Sequence, residues 1–321
     1  MILVPDSQRR TRAELDERLD LTEGDRTAKS SAFWTMLTLA GLIAVAGVVG
    51  DSTATVIGAM IVAPLSTPIL GIGLGIATGR GRLIGHSLVV VVAAATLVVV
   101  MGAVFAQLLP NPTDVLANSQ VTGRTSPKLS DLTAALATGL VGAVAITRRD
   151  VGDVLPGVAI AISLVPPLGV VGVCLGSGAP SLAWGAAVLF LSNVLALVVT
   201  ATAVLMLAGY GAEDGGTVGR RGGAYLMLGL GVLIVAVPMV LNTLSSLWAK
   251  QIGEAGEKWL ADVPGAVVTD VGWHGDTATV SVLGPVELPP IEDLQATVDA
   301  LVPWSPDVQV VHTVGARLDS E

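Results

Sequence analysis

The stretch VIGAMIVAPLSTPILGIGLGIATGR, residues 56–80, decides the fold, because it is apolar enough to cross a bilayer and yet carries two prolines near its middle. Pro64 and Pro68 lack the amide hydrogen that a helix uses, and each disfavours helix in the residue before it. Unpaired backbone groups are costly in hydrocarbon unless they face protein or a wet cavity. The stretch therefore predicts a broken membrane helix, with freed carbonyls around Ile61 and Pro64 and amide donors at the start of the following half-helix.

The composition places most of the chain in lipid. Of the 321 residues, 52% are hydrophobic and 13% are charged, against about 25% charged in an ordinary soluble domain. Seven apolar stretches are each near the ~20 residues that a helix needs to span the hydrocarbon layer. We predict an all-α polytopic membrane bundle of about seven transmembrane helices, at about 31–49, 54–79, 83–109, 131–147, 153–175, 181–208 and 224–247.

The basic residues predict the orientation. If the amino terminus is cytoplasmic and all seven segments cross, the inner segments hold twelve of the seventeen lysines and arginines, as the positive-inside rule requires. This predicts a multi-pass protein of the cell membrane with an extracytoplasmic carboxyl terminus. Residues 1–30 form a cytoplasmic amphipathic arm on the surface, in which Thr11 and Glu14 have the spacing of a capping box ahead of Leu15 and Leu19.

The tail, residues 248–321, differs from the rest of the chain. Residues 250–321 hold 3 basic and 12 acidic side chains, whereas residues 1–249 hold 14 of each. Apolar residues alternate in 266–284 and in 307–318, with a helical pattern in 291–302, and a further helix is expected over 244–261. The order α-β-β-α-β predicts a small α+β extramembrane domain, and its acidity argues against nucleic acid as a partner.

The sequence repeats itself at an offset of 99 residues. Residues 31–109 and 130–208 share 17 identities over 79 pairs, including Asp51 with Asp150 and Pro68 with Pro167. Three helices per repeat is an odd number, so the second copy enters the membrane from the opposite face. We predict an inverted 3+3 repeat with two broken helices: transmembrane repeat 1 over 31–109, an extracytoplasmic linker over 110–130 and transmembrane repeat 2 over 131–208.

The two breaks supply the candidate site, because matching interruptions in an inverted repeat are typical of transporters with a binding site near the bilayer midplane. Hydroxyl groups lie at both breaks, and an asparagine lies in the helix after the second. The alternative is that the prolines mark plain kinks and the hydroxyls repair local hydrogen bonds. The predicted solute-binding or ion-binding residues are Pro64, Ser66, Thr67, Pro68, Ser163, Pro166, Pro167 and Asn193.

Other polar residues have structural interpretations. Asp51 and Asp150 each precede an apolar run, so we expect them to cap the following helix, with ion coordination as the alternative. Asn193 could equally cross-link helices by hydrogen bonds. His86 is interpreted as an interfacial residue at the inner end of the third span. The glycines at 71, 75, 79, 172 and 176 predict smooth stripes for close helix packing.

Five stretches carry a family resemblance. They are SAFWTMLTLAGLIA, VIGAMIVAPLSTPILGIGLG, LTAALATGLVGAVAI, VAIAISLVPPLGVVG and LFLSNVLALVVTATAVLML, which together cover about residues 30–208. They resemble the domain-of-unknown-function 389 family of bacterial and archaeal membrane proteins. The resemblance implies a polytopic membrane protein, but no substrate and no catalytic residue.

Two hypotheses for the function remain open. The first is a transporter or channel for a small polar solute or ion, with an anion slightly favoured because half-helix amino ends carry positive partial charge. The second is a membrane scaffold or sensor that anchors the extracytoplasmic domain. No sequence motif indicates an enzyme, a cofactor or a metal site. The predicted partners are the lipid bilayer, the solute or ion, and further copies of the chain in a homo-oligomer.

Overall fold

The computed structural model of the protein describes residues 4–5, 7–108, 117–151, 164–211, 218–274 and 277–315. The chain divides into two compact units, Met1–Met239 and Val240–Glu321.

The first unit is helical. Its helices are α1 (Arg12–Leu19), α2 (Arg26–Val49), α3 (Thr53–Val62), α4 (Ser66–Thr78), α5 (Gly81–Leu108), α6 (Ser119–Thr125), α7 (Leu129–Thr147), α8 (Val165–Gly176) and α9 (Pro180–Leu207), followed by the start of α10 (Val218–Trp259).

Four of these helices, α2, α5, α7 and α9, are long and apolar enough to cross a membrane. The pair α3 and α4 passes the same test together, with a bend of 49° between them, and so adds a fifth span if it is counted as one. Large apolar side chains such as Val89 and Leu108 point outwards from α5, as lipid-facing residues do. The protein is thus a helical membrane protein with several apolar spans, and every predicted apolar stretch contains a helix, although the first part of the fifth lies outside the described residues.

The amino-terminal arm does not simply lie on the surface. The predicted capping box is present in α1, where the Thr11 amide donates to the Glu14 carboxylate. Leu15 and Leu19 are fully buried in the main core of the first unit. The Leu19 carbonyl lies 2.9 Å from the position that a Cβ atom on Gly71 would take, so α1 packs directly on α4.

Helix α10 has 42 residues. The predicted seventh span, 224–247, and the predicted tail helix, 244–261, are parts of this one helix. The boundary expected at 247–248 therefore falls inside a continuous helix, because neither a glycine nor a proline occurs there to end it.

The second unit contains the predicted small sheet. Its strands are β1 (Val267–His274), β2 (Thr277–Gly284) and β3 (Asp307–Val314), with α11 (Ile291–Leu301) between β2 and β3. The sheet order is β1-β2-β3, with β1 antiparallel and β3 parallel to β2. The buried side chains alternate along β2, and they pack with apolar residues of the helices in a core formed by Ile252, Ala255, Leu260, Ala278, Val280, Val282, Leu294, Val298 and Val302.

Candidate functional site

The first break lies where the two prolines predicted it. Helix α3 ends at Val62, Ala63 is extended with φ −71° and ψ 124°, and α4 begins at Ser66. From Pro68 to Thr78 every residue of α4 is buried. The half-helix after the break is therefore enclosed by the bundle.

The hydrogen bonds at this break correct one expectation. The Pro64 carbonyl is not free, since it accepts a hydrogen bond of 3.2 Å from the Thr67 amide. Pro68 has no amide hydrogen, so Ser66 supplies the one unused amide in the first three residues of α4. The first three residues of α4 thus present fewer free amides than the same positions of an ordinary helix start, where all three are unpaired.

Hydrogen-bond acceptors are more numerous at the break than free amide donors. No backbone bond from beyond α3 to the carbonyls of its last turn is found in the described part of the chain. Ser66 and Thr67 are half-buried, and no side-chain hydrogen bond of either is recorded among the described residues. The break therefore brings hydroxyl and carbonyl oxygens together with the Ser66 amide.

The predicted second break is described only from its carboxyl-terminal side. Pro166 and Pro167 lie in the first turn of α8 and are buried. Ser163 lies outside the described residues, and so does the chain that precedes it in this segment.

The short helices α4 and α8 begin and end alike. Each follows a buried leucine with αR geometry and has no side-chain cap. The glycine after each has positive φ, 75° at Gly79 and 73° at Gly178, which lies 99 residues later. The helices that come next, α5 and α9, have 28 residues each and begin 99 residues apart.

Glycines lie in close helix contacts on both α4 and α8. A Cβ atom on Gly73 of α4 would lie 2.7 Å from the Ala201 Cβ of α9. A Cβ atom on Gly172 of α8 would lie 2.8 Å from the Gly102 Cα of α5 and would overlap the Val99 carbonyl oxygen. Gly71, Gly75 and Gly176 are also in close contacts, as the small-residue stripes predicted, whereas Gly79 has no neighbour within 4 Å and serves as a helix end.

Asn193 lies on α9 and is 3% exposed. Helices α5 and α8 run parallel, because Gly172 meets Gly102 and Gly176 meets Ala106 one turn further along both. Since short turns join α4 to α5 and α8 to α9, α4 also runs parallel to α9. Gly73 of α4 packs against Ala201 of α9. Counted back from this contact, Asn193 lies eight residues before Ala201 and Ser66 lies seven residues before Gly73. At about 1.5 Å per residue, Asn193 is therefore near the level at which α4 begins.

Asp51 has a different role from the one predicted. Ser52, not Asp51, caps α3, with its hydroxyl oxygen 3.3 Å from the Thr55 amide. Asp51 adopts a positive φ of 47° and accepts hydrogen bonds from the Ser119 hydroxyl at 2.6 Å and from the Gln120 amide at 3.1 Å. These bonds hold the pKa of Asp51 below its usual value. Asp51 thus adds hydrogen bonds to the first turn of α6, a helix 68 residues away in sequence whose N-cap is Asn118.

Asp150 pairs with an arginine two residues before it. The Arg148 Nη2 atom lies 2.6 Å from Asp150 Oδ2, and this hydrogen bond lowers the pKa of the carboxyl group. The helix that Asp150 is expected to cap begins in the part of the chain that the structure does not describe, so the capping prediction stands as it was.

A polar network links the amino-terminal arm to the ends of three helices, and sequence reasoning missed it. Asp16 pairs with Arg80 at the start of α5, and Arg149 after α7 donates to Glu14 at 2.8 Å. The buried Tyr210 hydroxyl, after α9, donates to the Arg10 carbonyl at 2.5 Å. The one signal in the sequence was the number of carboxylates interleaved with arginines in the arm.

Comparisons with known proteins agree with the predicted family. The family described as "Domain of unknown function (DUF389)" matches residues 60–199, so the resemblance is confirmed over this region. An uncharacterised protein of Methanocaldococcus jannaschii is 31% identical over 176 residues, which are 55% of this chain and 53% of that relative. The match thus spans about half the length of the curated relative.

Proposed function

We propose that the protein is a membrane transporter or channel for a small polar solute or ion, with its site at the broken helices. The observation that carries this proposal is the break between α3 and α4. Helix α4 is buried from Pro68 onwards, yet it begins with two half-buried hydroxyl side chains for which no hydrogen bond is found in the described part of the chain, next to the carbonyl end of α3. Polar groups of this kind are tolerated in a membrane where they line a cavity or bind a guest.

We also propose the inverted repeat that the sequence predicted. It is supported by the contacts of Gly73 and Gly172, whose partners correspond at the same offset of 99 residues: Val198, Ala201 and Thr202 for the first, and Val99, Gly102 and Ala103 for the second. Gly73 of the first half touches Ala201 of the second half. Gly102, which corresponds to Ala201, in turn touches Gly172, which corresponds to Gly73. Such a contact is isologous and is typical of a two-fold relation.

The groups at the first break favour a cation over the anion expected from the sequence. An anion needs N–H or O–H donors, and at positions 66–68 Pro68 has no amide donor and the Thr67 amide is already bonded to the Pro64 carbonyl. Hydroxyl and carbonyl oxygens are instead the ligands that hard cations prefer. Discontinuous helices coordinate sodium through such carbonyl ends in other transporters.

Localisation and assembly follow as further proposals. The positive-inside pattern supports a cytoplasmic amino terminus and an extracytoplasmic second unit in the cell membrane. A homo-oligomer is consistent with the apolar side chains exposed along α5 and α9, although lipid would cover them equally well.

Flux into proteoliposomes tests the main proposal. The purified protein is reconstituted in both orientations, and the uptake of sodium, potassium, chloride and small organic anions is measured under gradients. We expect flux of at least one solute, and we expect Ser66→Ala and Thr67→Val to reduce it. Thr96→Val is the matched control, because Thr96 is exposed on α5 and its hydroxyl donates to the Val92 carbonyl. Flux that is absent throughout, or lowered equally by the control, would contradict the proposal.

The scaffold or sensor hypothesis is supported by a separate observation, since residues 240–321 form a compact unit with a core of their own. It predicts that removal of residues 262–321 abolishes the cellular phenotype while Ser66→Ala and Thr67→Val leave it intact. The transporter hypothesis predicts the reverse pattern for flux in proteoliposomes.

A further inference from the structure

A basic cavity lies where two of the apolar helices begin. It has a volume of about 530 Å³ and is lined by Asp20, Thr22, Arg26, Arg80, Gly81, Arg82, Leu83 and His86. Arg26 is the first residue of α2 and Gly81 the first of α5. The cavity is therefore at the level where a lipid headgroup meets the ends of two spans.

The cationic side chains of this cavity are only partly neutralised. Arg80 pairs with Asp16. No ion pair of Arg26 or Arg82 is found among the residues described, and both side chains are exposed. Asp20 is the single carboxylate in the lining, and its Oδ1 atom already accepts hydrogen bonds from the Thr22 amide at 2.8 Å and hydroxyl at 2.6 Å.

The backbone adds to the positive potential. The amides of Gly81, Arg82 and Leu83 form the first turn of α5, where no intrahelical acceptor exists. No acidic residue lies in that turn to compensate the helix dipole. Guanidinium groups together with free amides form the donor set that recognises phosphate oxygens.

We propose that this cavity binds a phosphate group, supplied either by the headgroup of an anionic lipid or by free phosphate. Arg26 and Arg82 hold the phosphate oxygens, Arg80 is kept in place by Asp16, and His86 lies on the wall next to α5. Basic pockets between spans bind anionic headgroups in this manner. The proposal concerns a separate place from the helix break and does not depend on transport.

The test uses the full chain in nanodiscs of phosphatidylcholine. The thermal midpoint is measured with rising fractions of phosphatidylglycerol and, separately, with inorganic phosphate against chloride at equal ionic strength. Native mass spectrometry counts the phosphatidylglycerol that stays bound. We compare the wild type with Arg26→Gln, Arg82→Gln and the double variant. Each charged hydrogen bond lost should weaken binding by about tenfold or more.

Lys128→Gln is the matched control, because Lys128 is an exposed cation directly before the apolar helix α7 but outside the cavity. Stabilisation by phosphatidylglycerol that falls in the arginine variants and persists in the control supports a lipid headgroup, and the same pattern with inorganic phosphate supports free phosphate. A response that is absent in the wild type, or lowered as much by Lys128→Gln, overturns the proposal. Since Arg82 is exposed, the single variant Arg82→Gln decides the matter even if the double variant does not fold.

Discussion

Gly172 and Gly102 meet backbone to backbone where α8 crosses α5, since a Cβ atom on Gly172 would lie 2.8 Å from the Gly102 Cα. At the corresponding positions, 99 residues earlier for the first and 99 later for the second, Gly73 packs against the Ala201 Cβ where α4 crosses α9. Both crossings depend on the absence of a side chain at the glycine. In lipid, where no hydrophobic effect drives helices together, such close approach is a main source of packing energy.

Substitution of either glycine should therefore destabilise the bundle. We expect Gly73→Val and Gly172→Val each to lower the free energy of unfolding by about 1–3 kcal/mol or more, because the new side chain forces a packed interface apart. Unfolding in detergent, followed by circular dichroism, measures the effect. Gly85→Ala on α5 is the control, since no atom lies within 4 Å of its Cβ position; there we expect no loss, and a loss as large as at Gly73 would contradict the packing argument.

Cysteine labelling tests whether the break is wet. With the buried Cys174 replaced by alanine, we expect Ser66→Cys, Thr67→Cys and Asn193→Cys to react with small hydrophilic thiol reagents, because these positions lie near the start of α4. Thr96→Cys on the outward face of α5 should stay unreactive in a bilayer. Labelling is followed by mass spectrometry on intact membranes. Equal silence at all four positions would favour the interpretation of the break as a plain kink.

The arm should loosen at low pH. The ion pair and hydrogen bond with Arg149 lower the pKa of Glu14 to about 2, from an unfolded value of about 4.3. A depressed carboxyl pKa stabilises the folded state above the unfolded pKa, and this stabilisation is lost as the pH falls from about 4 towards 2. Limited proteolysis of the arm between pH 5 and pH 3 should show faster cleavage at the lower pH. In Glu14→Gln the arm should already be loose at pH 5, so that this part of the pH dependence disappears; a wild-type profile in the variant would assign it to another group.

The hydrogen bonds of Asp51 should hold α6. Asp51→Ala removes the acceptor for the Ser119 hydroxyl and the Gln120 amide, and it places alanine at a φ of 47°, a conformation that alanine adopts poorly. We expect faster hydrogen exchange of the amides in 119–125 and a lower thermal midpoint. Asparagine tolerates the same backbone conformation and keeps one acceptor oxygen. The exchange rate and thermal midpoint of Asp51→Asn should therefore lie between those of the wild type and of the alanine variant. If Asp51 instead binds an ion, the hydrogen-exchange rate of these amides should depend on the concentration of metal ion or salt and not on the geometry of the side chain.

Substitutions of Tyr210 test the contact between the amino-terminal arm and the segment after α9. Its hydroxyl is buried and donates to the Arg10 carbonyl, while the Arg9 guanidinium lies 4.2 Å from the centre of its ring. Tyr210→Phe keeps the ring and leaves the carbonyl without this donor, which should cost about 1–3 kcal/mol. Tyr210→Leu should cost more, because the cation–π contact is lost as well. Thermal unfolding of the two variants measures the difference, and equal midpoints would show that the Arg9 contact contributes nothing.

By itself, the sequence determined the properties that act over a few residues. Apolar runs of about 20 residues indicated a membrane protein with several apolar helices, the prolines at 64 and 68 located the break, and alternating apolar residues predicted the three strands. Each follows from local rules: a proline lacks a donor wherever it occurs, and the period of side chains fixes helix or strand. The capping box at Thr11 and Glu14 was predicted correctly for the same reason.

Only the tertiary structure decided which groups satisfy one another. Asp51 was expected to cap the helix that follows it, but a turn at positive φ directs its carboxylate to α6. The Pro64 carbonyl was expected to be free, but the Thr67 amide folds back to it. Leu15 and Leu19 were expected in a surface arm and are buried against α4, where they leave water or lipid for a packed core. These partners lie apart in sequence or depend on a precise turn, and a carboxylate or carbonyl binds whichever donor the fold brings within about 3 Å of it.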